Sequence, residues 1–299
     1  MAGRIILGSR GSDLALAQAR LVEQKLRASW PELEVALEII RTRGDEGSKS
    51  APVVDRKAGR KGMFTREIEK ELLVRRIDLA VHSAKDLPSE RLEELEIRAA
   101  LPRANTEDIL ITRDGRGLAE IPAGGVIGTG SIRRQRQLLF KRPDLQVADL
   151  RGNVPTRLRK LQENENWSGI ILARAGIERL GLEVASEILS PDDFLPAGGQ
   201  GVIALQMRRE DADVQRLLDA VNDAATFSCL RAEREFLRLL DGDCDSPVGV
   251  QARVAGDNLQ MQAQVFETQR AEPRIGKASG PAAEPETLAA KLMEQLYGG

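Results

Sequence analysis

The sequence has few of the residues from which metal, redox and base-stacking sites are usually built. Its 299 residues include two cysteines and one histidine, with two tryptophans, one tyrosine and six phenylalanines. Cys229 and Cys244 lack the spacing of a metal or redox motif, and a metal site or a serine–histidine–aspartate triad built on His82 has little support. So few aromatic side chains also argue against a base-stacking platform for nucleic acid.

Net positive charge and long apolar runs are missing as well. Lys and Arg total 44 against 46 Asp and Glu, a formal net charge of -2, which argues against a general nucleic-acid binder. No apolar run approaches the ~18 residues of a membrane helix, and Met1 to Ser9 lead straight into a strand-like run without a signal-peptide pattern. We therefore expect a cytoplasmic protein with no nucleic-acid or membrane partner.

Arginine, by contrast, is abundant. The sequence has 34 arginines and 10 lysines. An arginine binds a carboxylate or phosphate with two N–H groups at once, whereas a lysine acts as a point charge. A GC-rich genome would also produce this excess, so the positions of the arginines decide its meaning.

Hydrophobic patterning predicts two α/β domains followed by a small α+β domain. Short apolar runs alternate with helical patterns as far as about residue 207, and from Asp211 two helices, a few alternating strands and a closing helix follow. The segment 42–62 is polar, rich in Gly, Lys and Arg, and without periodicity. Loops of that length are usually lids or disordered.

Many of the arginines fall in loops that directly follow predicted strands. Ligand crevices in open α/β sheets form at the carboxyl ends of strands, and cations at a helix start are unfavourable unless an anion binds there. We therefore predict a ligand with several carboxylates or phosphates, although a solvated helix face remains the alternative for each cluster. The absence of a Gly-Lys-Ser/Thr sequence disfavours ATP. The loop residues are Arg10, Ser12, Thr129, Ser131, Arg133, Arg134, Arg136, Arg151, Asn153 and Arg157.

Two further features are candidates for chemistry. Lys85 and Asp86 follow a short buried strand, where a carboxylate can orient N–H donors and stabilise a developing cation. The alternative is an aspartate that caps the next turn, with Lys85 as its ion-pair partner. Cys244 lies in a loop between Asp243 and Asp245, which disfavour its thiolate. Cys229, within an amphipathic helix, is most simply a core residue.

Together these segments resemble the porphobilinogen deaminase family, whose members are also called hydroxymethylbilane synthases. The resemblance extends from the first predicted strand to the last helix. The motifs that carry it are Ser9-Arg10-Gly11-Ser12, Thr42-Arg43-Gly44-Asp45, Gly59 to Phe64, Ala80 to Pro88, Gly128 to Arg134, Leu150 to Val154, Ala173 to Gly176, Gly199-Gln200-Gly201 and the Cys244 loop.

The resemblance implies a transferase of tetrapyrrole and haem biosynthesis. Two domains similar to type II periplasmic binding proteins would flank a cleft, over residues 1–101 plus 202–219 and 107–196, with a small α+β domain at 224–299. A dipyrromethane cofactor would be attached through a thioether to Cys244. The enzyme would condense four porphobilinogen molecules, losing ammonia each time, and release linear hydroxymethylbilane by hydrolysis. It would be a monomer that hands its product to uroporphyrinogen III synthase.

The resemblance also assigns roles within this sequence. Asp86 would be the catalytic carboxylate. The cofactor would contact Lys85, Ser83, Thr129, Ser131, Arg133, Arg134, Asn153 and Gln200. Substrate would contact Arg10, Ser12, Gln18, Arg151, Arg157 and Arg179. The lid would carry Lys57, Lys61 and Phe64. No metal is implied.

Four positions depart from the family pattern. Gly130 stands where a serine is common, so one hydroxyl contact is lost, and Gly199 replaces a bulkier residue, which should loosen the hinge there. Asp243 and Asp245 should slow thioether formation. Two rival functions are a two-lobed polycarboxylate-binding protein without catalysis, which would not need Cys244 on a third domain, and an enzyme acting on a phosphorylated metabolite.

Overall fold

The computed structural model describes residues 3–42, 65–89, 92–241 and 247–298. Its helices are α1 (Asp13–Ser29), α2 (Arg66–Leu73), α3 (Ile132–Lys141), α4 (Val154–Glu163), α5 (Arg174–Arg179), α6 (Ala212–Asp219), α7 (Ala224–Leu239) and α8 (Pro285–Tyr297). Its strands are β1 (Arg4–Ser9), β2 (Glu34–Ile39), β3 (Leu79–Ser83), β4 (Leu95–Ala100), β5 (Asp108–Ile111), β6 (Val126–Gly128), β7 (Gln146–Ala148), β8 (Trp167–Ala173), β9 (Ser186–Ile188), β10 (Ile203–Arg208), β11 (Val248–Ala255), β12 (Asn258–Val265) and β13 (Arg274–Pro281).

Two five-stranded sheets share one topology. Their orders are β2-β1-β3-β10-β4 and β7-β6-β8-β5-β9. In each sheet the first three strands are parallel, and the fourth runs antiparallel to both of its neighbours. That antiparallel strand is the first one after the chain crosses over from the other sheet. Each crossover therefore leads into the fourth strand of the five-stranded sheet that it enters, with a neighbouring strand on each side.

The crossover segments lie side by side between the two sheets. Leu101 N donates to Ile203 O over 3.1 Å, and Ala104 N donates to Gly201 O over 3.0 Å. These bonds pair the segment that leaves β4 with the segment that enters β10. The pair is the only covalent route between the sheets within the described residues, and we refer to these two segments as the hinge.

The third region is a three-stranded antiparallel sheet, β11-β12-β13, covered by α7 and α8. Its core includes Phe236, Val250, Leu259 and Leu292, each completely buried. The strands alternate apolar and polar residues, as expected for a sheet with one covered face. Gly276 lets Leu292 and Leu296 of α8 approach β13, because a Cβ at that position would lie about 2.9 Å from Leu296.

These three regions confirm the predicted fold class: two type II periplasmic-binding-protein-like α/β domains and a small α+β domain. The residue ranges given above for the domains stay a prediction. Within the described ranges, no helix is both long enough and apolar enough to cross a bilayer.

Candidate active site

Five loops meet at the carboxyl ends of parallel strands, two in the first domain and three in the second. They follow β1, β3, β6, β7 and β8. Helices α1 and α5, which begin after β1 and β8, contact one another across the two domains. The loops therefore face one cleft, as the sequence predicts from the edge at which parallel strands end.

Three of the predicted hydrogen-bonding side chains cap helices. Ser12 accepts from Ala15 N, Ser131 from Arg134 N, and Asn153 from Thr156 N, over 3.3, 3.5 and 2.9 Å. An N-cap uses only the side-chain oxygen as an acceptor. The two hydroxyl hydrogens and the Asn153 amide hydrogens are consequently available to a carboxylate beside the same helix N-termini.

Arg133 and Arg134 form a buried cluster with Asp108. Arg133 Nη1 lies 2.8 Å from Asp108 Oδ2, and Arg134 Nη2 donates to Asp108 Oδ1 over 2.8 Å. Asp108 has no exposed surface, and the two arginines are 3% and 5% exposed. Burial alone would raise the pKa of Asp108, but the two guanidinium groups hold it well below its usual value. A solvated helix face is therefore wrong for these two residues, whereas Arg136 is exposed.

Gln200 connects this cluster to Lys85. Its Nε2 donates to Asp108 Oδ1 over 2.9 Å and to Thr106 O over 2.6 Å. Its Oε1 accepts from Lys85 Nζ over 3.4 Å. Burial lowers the pKa of Lys85 to about 8, and Arg134 adds to the effect while Asp86 and Asp108 oppose it. The lowered pKa of Lys85 is therefore due first to its burial.

Asp86 ends a short 3-10 turn, Ala84–Asp86, directly after β3. Leu87 N closes the turn by donating to Ala84 O, and Ala84 N is held by Val202 O at 3.0 Å. Lys85 directs its amine to Gln200 and, among the described contacts, not to Asp86. The half-buried Asp86 carboxylate is close enough to raise the pKa of both Lys85 and Arg157 by its charge. The alternative of a simple Lys85–Asp86 ion pair is not what the structure shows.

The remaining predicted residues occupy different settings. Gln18 of α1 is buried and hydrogen-bonded to Ser83 across 2.8 Å. Thr129 is buried and accepts from Ser131 N over 3.3 Å. Arg10 is half-buried at the end of β1.

Three other arginines differ in their exposure and in the protein groups to which they are hydrogen-bonded. Arg151 is exposed and its Nε pairs with Asp149 at 2.8 Å, a weak contact that a ligand can replace. Arg157 donates Nε to Gly152 O over 2.7 Å, and burial followed by the charge of Arg134 lowers its pKa. Arg179 donates to Gly201 O over 2.7 Å and so fastens α5 to the hinge.

Sequence reasoning missed the group that joins the third region to both crossover segments. Glu233 of α7 is completely buried and accepts from Arg103 Nη1, Gly199 N and Ala252 N over 2.6, 2.6 and 2.7 Å. Arg103 also donates Nε to Gln200 O over 2.9 Å. One carboxylate therefore binds both crossover segments and β11. In the sequence, Glu233 is one acidic residue within an amphipathic helical pattern, and that pattern does not indicate which residues it contacts.

The two glycine departures have structural explanations. Gly199 has φ +74°, and a Cβ there would lie about 3.0 Å from Lys85 N and Ala84 C. The expected loosening of the hinge does not fit this tight contact. A Cβ on Gly130 would lie 2.5 Å from Leu150 O, so glycine lets the Thr129–Ser131 loop approach the Arg151 loop closely.

Two residues with reactive side chains are buried elsewhere. Cys229 is 5% exposed in the core of the third region. Its burial, followed by the charge of Glu233, raises the pKa of its thiol to about 11. His82 bonds through Nε2 to Gln206 over 2.9 Å, and burial lowers its pKa to about 4 despite that bond. Cys244, Asp243, Asp245, Lys57, Lys61 and Phe64 lie outside the described residues.

The whole chain is similar to one family. The family model "Porphobilinogen deaminase, dipyromethane cofactor binding domain" matches residues 5–216, and "Porphobilinogen deaminase, C-terminal domain" matches residues 227–298. A porphobilinogen deaminase from Syntrophobacter fumaroxidans is 44% identical over 94% of this chain and 91% of its own. One from Syntrophomonas wolfei is 45% identical over 97% of this chain and 94% of its own. Among solved structures, the aliphatic sulphonate binding protein SsuA from Escherichia coli has a TM-score of 0.40 at 16% identity, covering 81% of this chain and 71% of that one.

Proposed function

Because the chain belongs to the porphobilinogen deaminase family, we propose that the cleft residues described above bind its pyrrole carboxylates and that Asp86 is its catalytic carboxylate. The protein is a transferase, a hydroxymethylbilane synthase with a dipyrromethane cofactor, which joins four porphobilinogen molecules with loss of ammonia and releases the linear product. The alternative of a binding protein without catalysis does not agree with that family.

The charge balance of the cleft supports a polycarboxylate ligand. Lys85, Arg133 and Arg134 carry three positive charges around Asp108, and the buried Nε atoms of both arginines have no hydrogen-bond partner. A pyrrole with an acetate and a propionate brings two negative charges, so a dipyrromethane brings four. The pyrrole carboxylates can pair with the guanidinium and ammonium groups of these residues. Such pairing is favourable because a buried charge without a counter-ion is costly in free energy. The residues present therefore fit the cofactor.

Asp86 is suited to the bond-forming steps by its position. When bound, the dipyrromethane supplies the nucleophilic pyrrole carbon. The Asp86 carboxylate can accept hydrogen bonds from pyrrole N–H groups and stabilise the cation that develops on incoming porphobilinogen as ammonia leaves. Lys85 and Arg157, whose pKa values the charge of Asp86 raises, bind substrate carboxylates on either side of it.

Cys244 is our proposed attachment point. Forming a thioether requires an accessible thiol, and the only other cysteine is Cys229. The high pKa and burial of Cys229 oppose that chemistry. Cys244 belongs to the loop that joins α7 to β11, the strand held by Glu233.

An intact-mass measurement tests this assignment. We expect the purified protein to exceed its sequence mass by two linked pyrrole units. Cys244→Ala should lose both the added mass and activity, whereas the matched variant Cys229→Ala should keep both. An adduct that persists in Cys244→Ala, or an active wild type with unmodified mass, would contradict the attachment.

The lowered pKa of Lys85 predicts a pH dependence of cofactor assembly. Lys85 is charged below pH 8 and neutral above it, so its attraction for carboxylates weakens as pH rises through 8. In the apoprotein, the porphobilinogen concentration giving half-maximal adduct, measured by mass, should rise between pH 7 and 9. Lys85→Met should need about tenfold more porphobilinogen at pH 7 and lose this pH dependence. Lys141→Met, at an exposed pair with Asp193, is the control. An unchanged pH profile in Lys85→Met would refute the role of Lys85.

We further propose that the enzyme works as a cytoplasmic monomer and passes its product directly to uroporphyrinogen III synthase. Light scattering after size exclusion tests the monomer, and co-elution with that synthase tests the transfer. A stable dimer, or no association during turnover, would contradict these two proposals respectively.

A further inference from the structure

Asp149 is an acidic residue among the basic side chains of the cleft. It directly follows β7, at the strand end where the cleft loops meet, and its side chain is 63% exposed. A Cβ on Gly130 would lie 3.7 Å from Asp149 Oδ1, so this carboxylate lies beside the loop that carries Thr129 and Ser131. A negative charge at this position opposes the binding of a polycarboxylate, and the roles proposed for the cleft residues do not use it.

Asp149 is paired with Arg151 in the free protein. The Nε group of Arg151 donates to both carboxylate oxygens of Asp149, over 2.8 and 2.9 Å. Among the contacts of the described residues, the Asp149 carboxylate binds only this Nε, and both Nη groups of Arg151 are available to a ligand. A substrate carboxylate can therefore reach the guanidinium, but it meets a group whose charge Asp149 already balances.

The charge of Asp149 also reaches Arg157, the next proposed substrate-binding arginine in the chain. Burial and the charge of Arg134 lower the pKa of Arg157, and the charges of Asp86 and Asp149 oppose this effect. Arg157 Nε is bound to the neutral Gly152 O over 2.7 Å. One exposed carboxylate therefore acts on two of the arginines that we expect to bind substrate.

A second pair of the same kind lies at the other end of β7. Asp144 precedes this strand and accepts from Arg142 Nε and Nη2 over 2.7 and 2.6 Å. Arg142 also donates to the carbonyl oxygens of Leu118 and Ile121, so the protein itself holds its guanidinium. In both pairs the aspartate and the arginine are two residues apart, but only Asp149 lies at the strand end that faces the cleft.

We propose that Asp149 competes with the carboxylates of the substrate for Arg151 and Arg157, an inference that rests on the substrate-binding role proposed for these two arginines. An acetate or propionate group of porphobilinogen must share Arg151 with Asp149 or replace it. Because two like charges repel one another, Asp149 lowers the affinity of this part of the cleft for carboxylates. A carboxylate can then leave Arg151 without exposing an unpaired guanidinium, which suits a ligand that must finally be released as product.

Steady-state kinetics of the holoenzyme variant Asp149→Asn test this proposal. Asparagine has nearly the same size and the position is exposed, so the variant should fold. Its KM for porphobilinogen should fall about three- to fivefold, the effect of one exposed charge pair, without a rise in kcat. The ratio of wild-type to variant KM should approach one in about 1 M NaCl, which screens charges more than about 3 Å apart. Asp149→Glu keeps the charge and should keep a KM close to that of wild type, and the matched control Asp144→Asn should leave KM unchanged.

A second measurement requires no turnover. A pyrrole with the acetate and propionate groups of porphobilinogen, but with a methyl group in place of its aminomethyl group, cannot lose ammonia. In calorimetric titrations of the holoenzyme, this pyrrole should bind Asp149→Asn about three- to fivefold more tightly than wild type. Equal binding to the two proteins would overturn the proposal.

The kinetic result would overturn it in three ways. KM could be unchanged in Asp149→Asn, it could fall equally in Asp144→Asn, or it could rise in Asp149→Asn because Asp149 orients Arg151 for the substrate. Arg151→Met separates these failures from failure of the proposed function. If Arg151→Met raises KM while Asp149→Asn has no effect, only the role of Asp149 is wrong. If Arg151→Met leaves KM unchanged, the substrate-binding role of Arg151 is itself wrong.

Discussion

Replacing Asp86 with Asn lowers kcat by about 10²–10³-fold or more while the dipyrromethane remains attached. Asparagine keeps the size and one oxygen of the side chain, so the 3-10 turn and the bond from Leu87 N to Ala84 O should persist. What is lost is the negative charge beside the cation that forms as ammonia leaves. The charge is also the reason that Asp86 raises the pKa of Lys85 and Arg157.

Single-turnover kinetics and intact mass, measured on the same preparation, separate catalysis from cofactor assembly. Asp193→Asn removes a carboxylate from an exposed pair with Lys141 and should change neither quantity. Near-normal kcat in Asp86→Asn would remove Asp86 from its proposed role. A large loss of kcat accompanied by loss of the adduct would instead assign Asp86 to assembly.

Replacing Asp108 with Ala lowers the free energy of unfolding by about 3–5 kcal/mol, the second large effect we expect. The substitution leaves the buried guanidinium groups of Arg133 and Arg134 without their shared counter-ion, and it removes an acceptor from Gln200. Arg134 would then be free to shift, so cofactor assembly should also weaken. Urea unfolding followed by circular dichroism measures the first effect, and adduct mass the second.

The matched control is Asp193→Ala, because the Lys141–Asp193 pair is exposed and contributes less than about 1 kcal/mol. The loss of unfolding free energy in Asp108→Asn should lie between those of Asp108→Ala and Asp193→Ala, because asparagine keeps an oxygen acceptor but has no charge. A cost below 1 kcal/mol for Asp108→Ala would show that the arginines find other partners. In that case the cluster would contribute little to stability.

The same cluster predicts how stability responds to acid. Because Arg133 and Arg134 lower the pKa of Asp108 in the folded state, its contribution is fully present above its unfolded pKa of about 3.9. It is lost as pH falls below that value toward the folded pKa. Wild type should therefore lose stability more steeply than Asp108→Asn below about pH 4, in urea titrations at fixed ionic strength. Parallel curves for the two proteins would contradict the linkage.

Hydrophobic periodicity predicted the parts of the site that depend on local sequence. The strands that end before Arg10, Asp86, Thr129 and Arg151 were all predicted from short apolar runs, and parallel strand ends place their loops together. The fold class followed from the same patterns. These features could be predicted because each depends on a few consecutive residues.

Contacts between distant residues could not be predicted. Asp108 begins β5 and appears in the sequence as the polar start of an apolar run, with no sign of Arg134, which lies 26 residues away. Glu233 meets Arg103 across 130 residues. The sequence predicts that Gly199 loosens the hinge, whereas its positive φ, and the atoms of Ala84 and Lys85 that a Cβ would meet at about 3.0 Å, favour glycine there. In each case the deciding fact is a tertiary partner.

Glu233 has a mechanical consequence for a protein whose ligand grows within the cleft. It fastens the third domain to both hinge segments at once, through Arg103 and Gly199. Points on a rotation axis move least when two bodies swing apart. The third domain, and the base of the loop that carries Cys244, should therefore stay nearly fixed while the other two domains separate to admit each pyrrole. Chain growth is then accommodated by the outer walls of the cleft, which move away from the third domain.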